Sequence, residues 1–205
     1  VQEHAVQMRE GSKRLRLGAV ALVMALLVAW LSVQVVLTSR RTAALERAIS
    51  DAEMAFHMGD FSEAERILVS TLRSNPGALS ARDMLACIYD STDREREAYE
   101  QWRLGVKYNP RDPQAYFLLG AAYFMDKRYK DAIGVLEGAR SVGPDHVPAR
   151  QLLARCYWRG GRPKEALAEF RSILADFPGD TGARWGMSGM QRELAAGKHN
   201  PAGGR

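Results

Sequence analysis

The chain has 205 residues, of which 46% are hydrophobic and 26% are charged, and its formal net charge is +5. The basic excess lies in residues 1–16, at Arg40 and Arg41, and in the C-terminal tail, so residues 42–196 are close to neutral. A nucleic-acid-binding domain carries a basic patch on its folded surface. This distribution of charge therefore excludes nucleic acid as a partner.

The first predicted element is a membrane-spanning helix at residues 17–37, a stretch without a charged residue. As an α-helix it is about 31 Å long, enough to cross the hydrocarbon core of a bilayer. The apolar region of a cleaved secretion signal is shorter, about 7–15 residues, and this stretch ends before Arg40 and Arg41. The pattern therefore favours a retained single-pass anchor that contacts membrane lipid.

The orientation of this anchor depends on its flanks, because positive residues favour the cytoplasm. The basic N-terminal flank, residues 1–16, carries four such residues, and the C-terminal side carries three as far as Arg47. We expect a cytoplasmic N-terminus and repeats on the periplasmic side of a bacterial inner membrane. The cytoplasmic side stays open, since two unpaired cysteines favour a reducing compartment.

A stripe of small residues follows three- and four-residue steps along the predicted span: Gly18, Ala21, Ala25, Ala29 and Ser32. Such stripes let neighbouring transmembrane helices pack closely. Residues 38–44 form a juxtamembrane connector. Either the spanning helix continues through it without interruption, or Thr38 and Ser39 cap a new helix.

From residue 45 onward the chain is periodic. Prolines recur 34 residues apart, and alanines keep the same spacing twelve residues before them: Pro76, Pro110, Pro144 and Pro178, with Ala64, Ala98, Ala132 and Ala166. A fixed period of this length is typical of a repeat array. It divides residues 45–180 into the units 45–78, 79–112, 113–146 and 147–180.

Each unit has the helical periodicity of two helices joined by a short polar turn. The third unit has Tyr116, Leu119, Gly120, Tyr123, Tyr129, Ala132, Leu136 and Pro144 in order. This pattern resembles the tetratricopeptide repeat, and with the predicted anchor the chain resembles single-pass, membrane-anchored bacterial members of that family. The resemblance implies an all-α fold: an N-terminal transmembrane helix, an α-solenoid of four repeats and a C-terminal capping helix.

Beyond the last repeat, residues 181–196 predict the capping helix that covers the final apolar face. Residues 197–205 have nothing to bury and are expected to be disordered. No cofactor is expected, and no zinc, haem or phosphate-loop motif is found in the sequence. We therefore expect neither a metal site nor a catalytic residue, and the chain is predicted not to be an enzyme.

The family resemblance implies a concave surface lined by the first helix of each unit. Its second half is predicted to bind the partner through aromatic and arginine side chains: Phe117, Phe124, Met125, Arg155, Trp158, Arg159 and Trp185. Aromatic residues and arginine are favoured at binding hot spots. The alternative for Trp158 and Trp185 is that they pack between the fourth unit and the cap.

Two hypotheses follow for the function. In the first, the protein is a membrane-anchored adaptor that recruits another protein, as a peptide or helix, into its groove. In the second, it is a permanent subunit of a membrane complex for respiration, cytochrome maturation, or pilus or secretion assembly, with neighbouring transmembrane helices against its small-residue stripe.

Overall fold

The computed structural model describes the backbone of residues 2–197, and the side chains of Met24 and of residues 26–197. Within that part the chain forms nine helices and divides into two compact units, which meet in the sequence between Ser50 and Asp51. The helices are α1 (Gln2–His57), α2 (Phe61–Ser74), α3 (Leu79–Ser91), α4 (Glu95–Tyr108), α5 (Pro113–Met125), α6 (Tyr129–Val142), α7 (Val147–Arg159), α8 (Pro163–Asp176) and α9 (Thr181–Ala195).

The first compact unit consists of α1 up to Ser50. The predicted connector 38–44 is helical, and no new helix begins there. The Thr38 hydroxyl donates to the Gln34 carbonyl at 2.9 Å, and the Ser39 hydroxyl donates to the Val36 carbonyl at 3.0 Å. Both hydroxyls therefore bond to the preceding turn of the same helix instead of capping a new one.

The predicted span at 17–37 begins among residues whose side chains lie outside the described part, including Gly18, Ala21 and Ala25 of the small-residue stripe. Of that stripe, Ala29 and Ser32 are described, and both are exposed. Among the described residues, no helix combines the length and the hydropathy that a membrane span requires. The transmembrane helix, which we expected at the N-terminus, therefore stays a prediction.

In the second unit, helices that follow one another in the chain pack side by side. The pairs α3–α4, α5–α6 and α7–α8 are in contact, and each pair contacts the next. The alanines of the 34-residue period, Ala64, Ala98, Ala132 and Ala166, are all completely buried. Small side chains at these positions let the helices approach closely, and α9 covers the end of the stack through contacts with α7 and α8.

A repeated hydrogen bond follows the same period as the prolines. The carbonyl oxygen of each proline accepts a bond from the side chain six residues later, at distances between 2.8 and 3.2 Å. The donors are Arg82, Tyr116, Arg150 and Arg184, for Pro76, Pro110, Pro144 and Pro178. Each first helix is thereby tied to the turn that precedes it.

A buried ion-pair cluster joins α7 and α8 to each other and to α6. Glu169 on α8 is 5% exposed and accepts from Arg150 of α7 at 2.7 Å and from Arg140 of α6 at 2.8 Å. Arg150 also pairs with Asp176 at 2.7 Å. Because an unpaired buried charge is costly, this cluster fixes α6, α7 and α8 relative to one another.

Candidate functional site

The first helices of the third and fourth pairs, together with the cap, enclose a cavity of about 570 Å³ in the second unit. Its lining comes mainly from α5, α7 and α9, and from the turn between α5 and α6. The lining residues are Phe124, Met125, Lys127, Tyr129, Arg155, Trp158, Arg159, Phe170, Trp185, Gly186, Gly189, Met190 and Glu193. We call this cavity the α7 groove.

The structure brings six of the seven sequence-predicted binding residues together in the α7 groove: Phe124, Met125, Arg155, Trp158, Arg159 and Trp185. Phe117 is not among the lining residues. It lies on the same helix as Phe124, but its ring faces the ring of His146 with 5.9 Å between the centroids. Phe117 is partly buried against the core, so its contacts belong to the packing of the third and fourth units.

The two tryptophans of the α7 groove have different surroundings. Trp158 is 5% exposed, and its Nε1 donates to Glu193 Oε2 at 3.0 Å. This contact joins α7 to α9, so Trp158 packs between the fourth unit and the cap, the alternative that the sequence left open. Trp185 is 74% exposed, with the Arg192 guanidinium 5.8 Å from its ring centre. The rim of the groove therefore presents Trp185, whereas Trp158 forms its wall.

The floor of the groove is apolar. Phe170 and Met190 are 1% and 5% exposed, and a Cβ atom placed on Gly186 would lie only 2.4 Å from Phe170 Cζ. At Gly189 a Cβ atom would meet nothing within 4 Å. The α9 backbone thus contacts the floor at Gly186, and at Gly189 it faces open space.

Positive charge surrounds this apolar floor. Lys127, Arg155 and Arg159 line the groove and are exposed. Within the described part of the chain, none of the three forms an ion pair with a carboxylate, although the Arg155 guanidinium lies 4.8 Å from the Phe124 ring centre. The one acidic residue of the lining, Glu193, accepts the Trp158 bond.

Outside the groove, arginines at helix starts are neutralised by carboxylates three residues later. Arg128 at the start of α6 lies 2.8 Å from Asp131, and Arg162 at the start of α8 lies 2.9 Å from Glu165. A second cavity, of about 540 Å³, is lined by Arg128, Asp131, Arg162 and Lys130, and also by Lys127 and Tyr129, which line the α7 groove as well. Its arginines are paired, so the unpaired arginines of the two cavities belong to the α7 groove.

Lys127 has a backbone conformation that is uncommon for a lysine. Its φ angle is 59°, in the left-handed region that favours glycine. The equivalent positions, one repeat period apart, are Gly59 with φ 78°, Asp93 with φ 58° and Gly161 with φ 76°. The turn after each first helix thus requires a left-handed residue, and the third unit has lysine where the first and fourth have glycine.

Sequence reasoning missed part of the lining. The sequence could have indicated Lys127 as a lining residue, because it stands at the same position of the 34-residue period as Gly59 and Gly161, in the turn next to the predicted groove. Phe170 and Met190 gave no such signal: Phe170 belongs to a second helix, and both side chains are buried like ordinary core residues.

The described residues include no group of three or more His, Cys, Asp or Glu side chains that could hold a metal ion. Cys87 and Cys156 are free thiols. Burial raises the pKa of Cys156 to about 12, and burial with the nearby carboxylates of Asp83 and Asp90 raises that of Cys87 to about 11. Cys156 is buried, whereas Cys87 is exposed to solvent.

The stacked helix pairs, the 34-residue period and the terminal cap define an α-solenoid repeat protein. Two family models, each described as tetratricopeptide repeat, match residues 84–145 and residues 123–187, together about half of the chain. The chain belongs to the tetratricopeptide-repeat family. Proteins of this family act as scaffolds for protein–protein interaction, and their repeats bind peptides or proteins and are generally non-catalytic.

Solved structures agree with this fold. The chain is similar to Pseudomonas aeruginosa PilF, with a TM-score of 0.61 and 18% identity, covering 76% of this chain and 71% of that one. It is similar to YrrB, described as a TPR protein with an unusual peptide-binding site, with a TM-score of 0.54, 18% identity and coverage of 79% and 86%. For TTC0263, a TPR protein of Thermus thermophilus, the TM-score is 0.54 and the identity 22%, with coverage of 75% and 84%.

A match to a much longer protein is confined to a short segment. The chain is 38% identical over 55 residues to the N-terminal acetyltransferase A complex auxiliary subunit NAA15 of Arabidopsis thaliana. That segment is 27% of this chain and 6% of the relative.

Proposed function

We propose that this protein is a non-catalytic scaffold that is anchored in a membrane and recruits a partner polypeptide through the α7 groove. The observation that carries the proposal is the groove itself, an open cavity with an apolar floor, exposed Met125 and Trp185 on its rim, and unpaired cations beside them. Large apolar side chains with polar surroundings are typical of binding sites. The peptide-binding site attributed to YrrB offers a precedent for this use of the fold.

The anchor is supported by the surface of α1 between Met24 and Leu37. Its large apolar side chains are exposed, among them Trp30 at 58% and Val35 at 65%. Exposed apolar side chains in such a run favour contact with lipid or with neighbouring transmembrane helices. We propose a bacterial inner membrane, with the repeats on the periplasmic side.

The same surface favours the second candidate function, a permanent subunit of a membrane complex. In that case the exposed Ala29 and Ser32 pack against a neighbouring spanning helix, and the partner in the groove is fixed. Purification in mild detergent distinguishes the two. A partner that stays at fixed stoichiometry supports the subunit, and one that exchanges supports the adaptor.

A matched pair of glycine variants tests the groove. Gly189 lines the groove, and a Cβ atom added there meets nothing within 4 Å, so we expect the leucine of Gly189→Leu to occupy part of the groove. Gly134→Leu is the control, since Gly134 also has nothing within 4 Å of a Cβ and lies on α6 outside the groove. Both variants should fold, because leucine replaces glycine in a helix.

We expect Gly189→Leu to lose its partner in an association assay, and Gly134→Leu to retain it. Equal association of both variants would contradict groove binding. The anchor is tested by alkaline carbonate extraction of membranes, and its orientation by protease digestion of cells whose outer membrane has been opened. Release of the chain by carbonate would contradict the anchor, and digestion of the repeats only after lysis of the inner membrane would contradict the periplasmic location.

A further inference from the structure

We infer that the α7 groove recognises a segment of its partner in which a large apolar side chain is flanked by aspartate or glutamate. The inference rests on the proposed function and specifies the ligand. The groove's volume of about 570 Å³ lies within the range of ligand pockets, and its buried Phe170 and Met190 offer an apolar side chain a contact surface.

The positive charge of the groove indicates that the residues flanking the apolar side chain of the partner are acidic. Lys127, Arg155 and Arg159 lie on two elements, the α5–α6 turn and α7, and none has a carboxylate partner among the described residues. Their positive charge is distributed around the cavity, so a single terminal carboxylate would neutralise only part of it. Several acidic side chains along a bound segment match this distribution better.

Lys127 supplies an independent observation. A lysine at φ 59° is less favourable than the glycine that occupies the same turn position in the first and fourth units. The fold would therefore accept glycine at this position. Asp93 has the same conformation in the second unit and does not line the groove, so the charge of Lys127 at the rim of an apolar cavity, and not its φ angle, supports a role in ligand binding.

Arg155 places a positive charge next to the aromatic wall of the groove. Its guanidinium lies over the Phe124 ring, 4.8 Å from the centroid, which holds the aliphatic stem against an aromatic wall. A guanidinium placed in this way keeps its outer N–H groups available for a carboxylate. An apolar side chain of the partner that contacts Phe124 thus brings a neighbouring carboxylate within reach of Arg155.

The test measures binding of two matched series of fluorescent peptides to the full chain in mild detergent. Each peptide has a central tryptophan, flanked by aspartate and glutamate in one series and by asparagine and glutamine in the other. We expect the acidic series to bind about tenfold more tightly at low salt, as expected for several exposed ion pairs. Added salt should reduce this difference, because exposed charges are screened.

Four variants distinguish the effect of the groove's charges on peptide affinity from the effect of a changed backbone. Lys127→Gly and Arg155→Gln should each weaken acidic peptides about three- to fivefold and leave the amide peptides unchanged. Asp93→Gly is the backbone control, because Asp93 has the equivalent left-handed conformation outside the groove. Lys130→Gln is the charge control, because Lys130 lines the second cavity and not the α7 groove. Neither control should change the affinity.

Lys127→Gly should also keep or raise the thermal midpoint, so a loss of affinity cannot be attributed to unfolding. Equal affinities for the two peptide series, both abolished by Gly189→Leu, would overturn the acidic preference and leave the groove as the binding site. Acidic binding that Gly189→Leu does not affect would overturn both this inference and the proposed use of the groove. Failure of both series to bind would overturn the inference, and the association assay with the natural partner would decide the proposed function separately.

Discussion

Two glycines one turn apart on α9, Gly186 and Gly189, allow the packing of α9 on the groove floor to be tested directly. An alanine at Gly186 would place its Cβ 2.4 Å from Phe170 Cζ and 2.7 Å from Cε1. Phe170 is 1% exposed and belongs to the buried core, so its ring can move away from a new Cβ atom only by disturbing its packing. Overpacking of this kind costs about 1–3 kcal/mol. Replacing a helical glycine by alanine returns about 1 kcal/mol.

Gly189→Ala gains the same helix propensity and meets no atom within 4 Å. The propensity gain cancels in the difference between the two variants, which isolates the contact with Phe170. We therefore expect Gly186→Ala to be less stable than Gly189→Ala by about 1–3 kcal/mol. For a chain of this size the difference corresponds to roughly 2–12 °C in thermal midpoint.

Circular dichroism during thermal unfolding of the full chain measures this difference. Hydrogen exchange then locates it, because α9 amides should exchange faster in Gly186→Ala and more slowly in Gly189→Ala. Equal midpoints and equal exchange in the two variants would refute the packing of α9 on Phe170. The α7 groove would then lack the contact between α9 and the floor residue Phe170.

Three further predictions concern the core. Ala132→Leu should overpack α6 against its neighbours and cost about 1–3 kcal/mol in chemical unfolding; an unchanged unfolding midpoint would count against the assigned repeat phase. Trp158→Ala should cost about 3–5 kcal/mol, because it removes a buried indole and the donor to Glu193; stability equal to that of the parent would show that Trp158 is not part of the packing. Burial raises the pKa of Cys156 to about 12 in the folded chain, whereas an exposed thiol in the unfolded chain ionises at about pH 9. The protonated thiol therefore contributes fully to the stability of the fold below about pH 9, and this contribution is lost as the pH rises towards 12. Urea unfolding from pH 8 to pH 11 should therefore show a shallower loss of stability in Cys156→Ala than in the parent, and parallel curves would contradict the shift.

The repeat period allowed much of the second unit to be predicted from the sequence. The spacing of the buried alanines and of the prolines is enough to predict where each helix pair begins and ends, because each unit repeats the same local contacts. The period also located most of the groove, since first-helix residues in one phase face the same side of the stack. The different surroundings of Trp158 and Trp185 were not predictable, because they depend on how closely α9 approaches α7.

The N-terminal part shows where sequence reasoning reaches its limit. Hydropathy predicts a span at 17–37, and the described part of α1 contains no helix that meets the requirements for one. The helix passes through the predicted connector without a break. Thr38 and Ser39 can cap a helix or bond within one, and the sequence alone does not distinguish these uses.

The central claim is that a partner polypeptide occupies the α7 groove. Its most direct test is photo-crosslinking in cells from a reactive side chain placed at Met125, which is 77% exposed at the rim. Val142 on α6 is 38% exposed outside the groove and serves as the control position. The account predicts a discrete cross-linked polypeptide from Met125, absent from Val142 and lost when Gly189→Leu is added. The same product from both positions, or a product from Met125 that persists with Gly189→Leu, would contradict it.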